Sequence, residues 1–137
     1  VLPLPSLPSI FLVDDNDHLR DTLASMLRDD GYIVGTESTG KNAVERLLEQ
    51  PFDVGIVDLG LPELDGFEVA RALRKSFDSR QMPLIAVTGY GRPEDRAQAL
   101  AAGFDLHLTK PVDPDRLKQA IHRLLTPQRE GEVTDGS

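Results

Sequence analysis

Five side chains, scattered along most of the sequence, have types that could work as a set: the neighbouring Asp14 and Asp15, then Asp58, Thr88 and Lys110. Carboxylates are hard oxygen donors of the sort that Mg²⁺ accepts, and three held together repel one another until a cation relieves them. A carboxylate is also a nucleophile toward a phosphoryl group, while a hydroxyl and an ammonium are suited to hold that group's oxygens. Each of the five also has an ordinary reading. Asp14-Asp15-Asn16 ahead of a helix is a common N-cap cluster. Asp58 could be a loop residue, Thr88 a β-branched strand residue and Lys110 a solvated charge. The choice depends on whether the fold brings them to one place.

The elements that would do so are legible, because short apolar runs alternate with amphipathic stretches five times. Ile10-Phe11-Leu12-Val13 reads as a buried strand. Leu19, Leu23, Met26 and Leu27 then share one helical face, and Gly31 stops that helix. Residues 32–35 read as a second, weaker strand. Thr39 caps a helix presenting Ala43, Val44, Leu47 and Leu48, which ends before Pro51. Residues 54–57 form the third strand and close on Asp58. The loop over residues 59–65 leads to a helix expected to carry Phe67, Ala70, Leu73 and Phe77. Residues 84–87 form the fourth strand and close on Thr88. Pro93, Glu94 and Asp95 suit the first turn of the next helix, which Gly103 ends. Residues 106–109 are the fifth strand, just before Lys110. The last helix starts at Asp113-Pro114 and aligns Leu117, Ile121, Leu124 and Leu125.

Strands apolar on both faces, each followed by a helix, imply a parallel sheet covered on two sides. The expected fold is therefore α/β: an open, doubly wound (βα)5 sheet, a flavodoxin-like three-layer sandwich in a single domain over residues 9–126. Residues 1–8, with Pro3, Pro5 and Pro8, read as a linker, and residues 127–137 as a disordered tail. In such a sheet, ligands bind beyond the carboxyl ends of the strands at the topological switch point. Asp14-Asp15, Asp58, Thr88 and Lys110 all fall at strand ends. Four strand ends carrying four complementary groups favour the functional reading, with Mg²⁺ relieving the acids and a phosphoryl group held by the metal, Thr88 and Lys110.

Composition narrows the classes. At 137 residues the chain has the length of one domain, and 39% hydrophobic with 28% charged residues is a globular balance. It has no cysteine, which excludes disulfides and thiolate chemistry. A net charge of -8, from 23 acids and 15 bases, repels phosphate backbones, so no direct nucleic-acid contact is expected. No apolar run reaches the roughly 18 residues of a membrane span, and the start lacks the basic residues of a signal peptide.

These residues resemble the receiver domain of two-component response regulators and hybrid histidine kinases, over about residues 10–125. The family's acidic pair is matched by Asp14-Asp15. Its phosphoaccepting aspartate and following loop are matched by Asp58-Leu59-Gly60-Leu61-Pro62 and Asp65-Gly66, its switch hydroxyl by Thr88, and its Lys-Pro by Lys110-Pro111. The resemblance implies that Asp58 takes a phosphoryl group from the phosphohistidine of a histidine kinase or histidine phosphotransfer domain. It implies Mg²⁺ held by Asp15 directly, Asp14 largely through water, Asp58 and the backbone carbonyl of Gly60. Lys110 would pair with the phosphoryl oxygens, Thr88 would swing in to one of them, and the Lys110-Pro111 bond would be cis. It implies a cytoplasmic domain with no membrane contact of its own, whose only chemistry is its own phosphorylation and dephosphorylation. Where the family has Tyr or Phe on the fifth strand, this sequence has His107, so a buried histidine with no switching role is an equal reading. Tyr90 falls where the family tunes the lifetime of its phosphate.

Three rivals are weaker. An aspartate-nucleophile phosphatase would place a second aspartate two residues after Asp58, where Gly60 stands. An interaction module that has lost phosphorylation would not keep the full acidic set. A nucleotide- or flavin-binding domain would have a Gly-rich loop after the first strand. His18, His107 and His122 fall in three different elements and suggest no metal cluster. The Pro-rich lead-in and the run from Thr88 to Asp95 suggest a receiver from a hybrid sensor kinase, with a stand-alone response regulator as the alternative.

Overall fold

The structure, a computed structural model, describes residues 7–89 and 91–126. Most of the expected linker, the expected disordered tail and Tyr90 lie outside the described residues. Five strands alternate with five helices: β1 Ser9–Val13, α1 Asp17–Asp29, β2 Ile33–Glu37, α2 Gly40–Glu49, β3 Val54–Asp58, α3 Gly66–Arg74, β4 Leu84–Thr88, α4 Pro93–Ala102, β5 Leu106–Thr109 and α5 Pro114–Leu125. All strand pairs are parallel, in the order β2-β1-β3-β4-β5. This is the expected flavodoxin-like sheet. Its order reverses between β1 and β3, which opens a crevice at their carboxyl ends.

The period of two along each strand builds two cores. Phe11, Val13, Val57 and Ala86 point to one face, where they meet Leu47 of α2, Val69 and Leu73 of α3, and Ala99 and Ala102 of α4. Ile10, Leu12, Ile56 and Val87 point to the other, against Leu23 and Leu27 of α1 and Leu117 and Ile121 of α5. Every residue of β3 and β4 is therefore buried, which is why those strands read as unbroken apolar runs.

Local chemistry fixes where strands turn into helices. The side chains of Asn16, Thr39, Asp65 and Asp113 each accept a backbone N–H at the start of α1, α2, α3 and α5, and Asp65 with Glu68 closes a reciprocal capping box. Gly103 ends α4 at φ 115, a left-handed conformation that costs glycine little.

Two expectations need correction. β2 starts one residue later than expected and runs on through Thr36 and Glu37, because it pairs with the whole length of β1, from Ser9↔Ile33 to Val13↔Glu37. An edge strand can continue in polar residues, since the ladder needs only backbone. α3 stops at Arg74, so Phe77 is not helical. It still packs against the core, and its N–H donates to the Leu73 carbonyl at 2.8 Å. The Arg74 guanidinium explains the turn. It donates to the carbonyls of Phe77, Met82 and Gly103 and to the Asp105 carboxylate, folding the following chain back on α3.

Candidate functional site

The carboxyl edge of the sheet gathers the sequence-predicted residues. Asp14 follows β1 and is 3% exposed, while Asp58 and Thr88 end β3 and β4 and are each 5% exposed. Asp15 is exposed at the rim. One carboxylate oxygen from each of Asp14, Asp15 and Asp58 lies within 4.8 Å of the others. Lys110, just past β5, places Nζ 3.2 Å from Asp58 Oδ2 and 3.6 Å from Asp14 Oδ2. The register explains the convergence: Val13 pairs with Val57, Asp58 with Val87, and Thr88 with Thr109, so four strands end at one level. The Lys110-Pro111 bond is cis, as the resemblance implies.

Hydrogen bonds hold the acids in fixed orientations. Asp58 Oδ1 accepts the Gly60 N–H at 3.0 Å, leaving Oδ2 to Lys110. Asp14 Oδ1 accepts the Asn16 N–H at 2.8 Å, leaving its Oδ2 toward Lys110 as well. The ordinary and functional readings of this segment thus coexist, with Asn16 as the helix cap and Asp14 turned toward Lys110 in the acid cluster. Burial, more than anything else, pushes the Asp14 carboxyl above the usual carboxylate range, and nearby Asp58 adds to it. The Asn16 N–H and Lys110 oppose that rise. Burial alone would pull the Lys110 ammonium down, but Asp58 and Asp14 together outweigh it and hold its pKa above normal.

A cavity of about 510 Å³ opens on these groups, lined by Asp15, Asp58, Gly60, Thr88 and Lys110 and, from α4, by Asp95. Gly66 is packed against its floor: a Cβ there would stand 2.5 Å from the Asp58 carbonyl oxygen and 2.7 Å from Leu59 Cα. The place of Asp95 in this wall is not evident from its role at a helix N-terminus. Its spacing from Ala99 and Ala102, i+4 and i+7, was the available signal. A larger open hollow of about 650 Å³ between α1 and α5, lined in part by His18, Asp21 and Lys118, holds none of the strand-end residues. His18 and His107 line separate cavities, and the acid cluster contains no histidine.

Chemically, the arrangement offers a buried, oriented carboxylate, a permanently charged lysine beside it and enough acid oxygens for a hard cation. Fold and site together define a doubly wound α/β domain with its reactive groups beside the switch point. Residues 10–122 match the response regulator receiver domain, and the chain belongs to that family. It is 40% identical over 114 residues to an uncharacterised 14.6 kDa protein of Leptolyngbya boryana, covering 83% of this chain and 87% of that one. Among solved structures, the chemotaxis protein CheY4 of Vibrio cholerae superposes with a TM-score of 0.82 at 30% identity, covering 88% of this chain and 100% of that one. The receiver domain of the sensor histidine kinase PA1611 of Pseudomonas aeruginosa, solved with a magnesium ion coordinated in its active-site cleft, gives 0.79 at 33% identity, covering 87% and 98%. The chain spans about half the length of several other curated relatives. Receiver domains accept phosphoryl groups rather than turn over substrates, and they work with histidine kinases or phosphotransfer proteins. Among the described residues no helix is long and apolar enough to cross a membrane.

Proposed function

We propose that this domain takes a phosphoryl group from a partner phosphohistidine onto Asp58 and so switches or relays a two-component signal. The observation that carries the reading is the position of Lys110 Nζ, between Asp58 Oδ2 and Asp14 Oδ2 at 3.2 and 3.6 Å. A lysine bridging two buried acids is placed to follow an anion onto one of them. An Asp58 oxygen attacks phosphorus in line. The phosphorus–nitrogen bond to the partner's imidazole breaks, and that nitrogen keeps the electron pair. Lys110 balances the charge arriving on the transferred oxygens, and the Thr88 hydroxyl, on the same cavity wall, donates to one of them.

The donor set fits Mg²⁺, because three carboxylate oxygens lie within 4.8 Å of one another and burial, with Asp58 nearby, already disfavours the ionised form of Asp14. Asp15 would hold the ion directly, Asp14 largely through water, with Asp58 and the Gly60 carbonyl completing the protein's share. Bound there, Mg²⁺ supplies positive charge that offsets the acids and attracts the phosphoryl oxygens.

The sequence around Thr88 and the solved receiver of a sensor kinase support an origin in a hybrid histidine kinase. A stand-alone response regulator is the second reading, favoured by the 14.6 kDa relative, 87% of which matches this domain. Incubation with acetyl phosphate and Mg²⁺ should add one phosphoryl group as an acid-stable, base-labile acyl phosphate, and Asp58→Asn should abolish it. Undiminished labelling of that variant would move the acceptor elsewhere.

A further inference from the structure

Phosphoryl acceptance leaves two buried polar atoms unexplained, and they lie on the two sides of one seam. Asp95 Oδ2 and His107 Nε2 are both buried without a hydrogen-bond partner. Asp95 sits in the first turn of α4, on the inward face shared with buried Ala99 and Ala102, and it lines the cavity of Asp58, Thr88 and Lys110. Arg92 Nε comes within 3.5 Å of Asp95 Oδ2, but from a side chain that is 64% exposed, so the pairing is weak. His107 stands opposite Ala86 on β5, while its neighbours Leu106 and Leu108 pack into the α1–α5 core. By strand alternation its ring is on the α4 side. Buried polar atoms normally find partners, and each of these is what the other lacks: a carboxylate accepts, and an imidazolium donates from both nitrogens.

We propose that Asp95 and His107 form a proton-dependent latch across the α4–β5 seam, in which protonation of His107 draws the Asp95 carboxylate away from the phosphoacceptor cavity. The latch itself needs only the two side chains. Its consequence rests on the phosphoacceptor reading: removing one negative charge from the cavity wall favours entry of an anion. By linkage, an anion in the cavity then favours protonation of His107.

The charged groups around the imidazole set the working range. Asp95 and Arg96 face it from α4, Asp113 from the loop before α5, and Arg116 and Arg123 from α5, while its β4 neighbour Ala86 is uncharged. Burial first, and Arg96 second, hold His107 below its usual pKa, and Asp95 pulls it back up. The ring is therefore neutral and the latch open at neutral pH, and it closes on acidification. Asp95 and His107 act on the acceptor through charge and position.

Proton NMR of the imidazole signals, with His107 assigned by its loss in His107→Phe, would read the latch directly. Asp95→Asn keeps size and helix position, and it should lower the His107 midpoint by about half a pH unit or more, a threefold or larger change in proton affinity. An unchanged midpoint in a folded variant would overturn the latch. Beryllofluoride with Mg²⁺, compared between pH 6 and pH 8, should bind the wild type several-fold more favourably at the lower pH relative to His107→Phe. Equal pH dependence in the two proteins would overturn the linkage. Failure of beryllofluoride to bind at either pH would remove the phosphoacceptor reading and with it the consequence for anions, while the Asp95→Asn titration would still decide the latch.

Discussion

Replacing a charged pocket residue usually weakens a protein, yet Asp14→Asn should stabilise this one when no divalent cation is present. The oxygens of Asp14 and Asp58 lie within 4.8 Å, so their repulsion is at least about 3.5 kcal/mol at an effective dielectric constant near 20. Lys110 at 3.6 Å returns about 4.6 kcal/mol on the same scale. These two nearly cancel, and exposed Asp15 adds only a screened repulsion. The balance is left to the burial of Asp14, which is 3% exposed and would be relieved by a neutral amide. The amide oxygen can still accept the Asn16 N–H. A net gain of about 1 kcal/mol is expected, or a rise in melting temperature of about 3–5 °C for a domain of this size.

The same physics fixes the pH and metal dependence. Because the folded-state pKa of Asp14 is raised, folding takes up a proton there. The stability it contributes is full below the unfolded carboxylate pKa and is lost as pH rises through the higher folded value. The advantage of Asp14→Asn should therefore be present at pH 7 and shrink as the pH falls toward 4. Magnesium at ten times its dissociation constant should stabilise the wild type by about 1.4 kcal/mol and the variant by less, narrowing the gap. Thermal melts in chelator, in Mg²⁺ and across pH would check all three. A variant that melts below the wild type in chelator at neutral pH would refute the claim that crowding of acids is a cost to the fold.

Three further outcomes follow from the same structure. Arg74→Ala should cost about 2–3 kcal/mol in urea unfolding, because the Phe77, Met82 and Gly103 carbonyls lose their donor and Asp105 its cation; a loss under about 0.5 kcal/mol would show that water replaces the clamp. Glu63 is exposed at φ 64 in the loop after Asp58, so Glu63→Gly should raise stability by a few tenths to about 1 kcal/mol, and a fall would mean that the glutamate side chain holds the loop. Hydrogen exchange with and without beryllofluoride should change on the face formed by α4, β5 and α5; changes confined to the Asp58 loop would mean that the domain signals through another surface or only relays phosphate.

What the sequence determined by itself was local. Apolar period marked the strands and helices, and Thr39, Asp65 and Asp113 fixed helix starts, because a cap bonds to residues two or three positions away. The strand-end rule then pointed to Asp14, Asp15, Asp58, Thr88 and Lys110 before any distance was known. The tertiary structure decided what depends on residues far apart in the chain. Parallel register placed Lys110 on an aspartate 52 residues earlier, and the pairing of β2 along all of β1 carried that strand through Thr36 and Glu37. The fold brought Gly103 and Asp105 to Arg74, about thirty residues earlier in the chain, which also accounts for α3 ending short of Phe77. Asp95 and His107 are the sharpest case. Their neighbouring sequences assign one to a helix dipole and the other to a strand, and only the packing of α4 on β5 leaves both with a buried atom that has no hydrogen-bond partner at the same seam. A polar atom's need for a partner is settled by what surrounds it in space, which sequence neighbours do not fix.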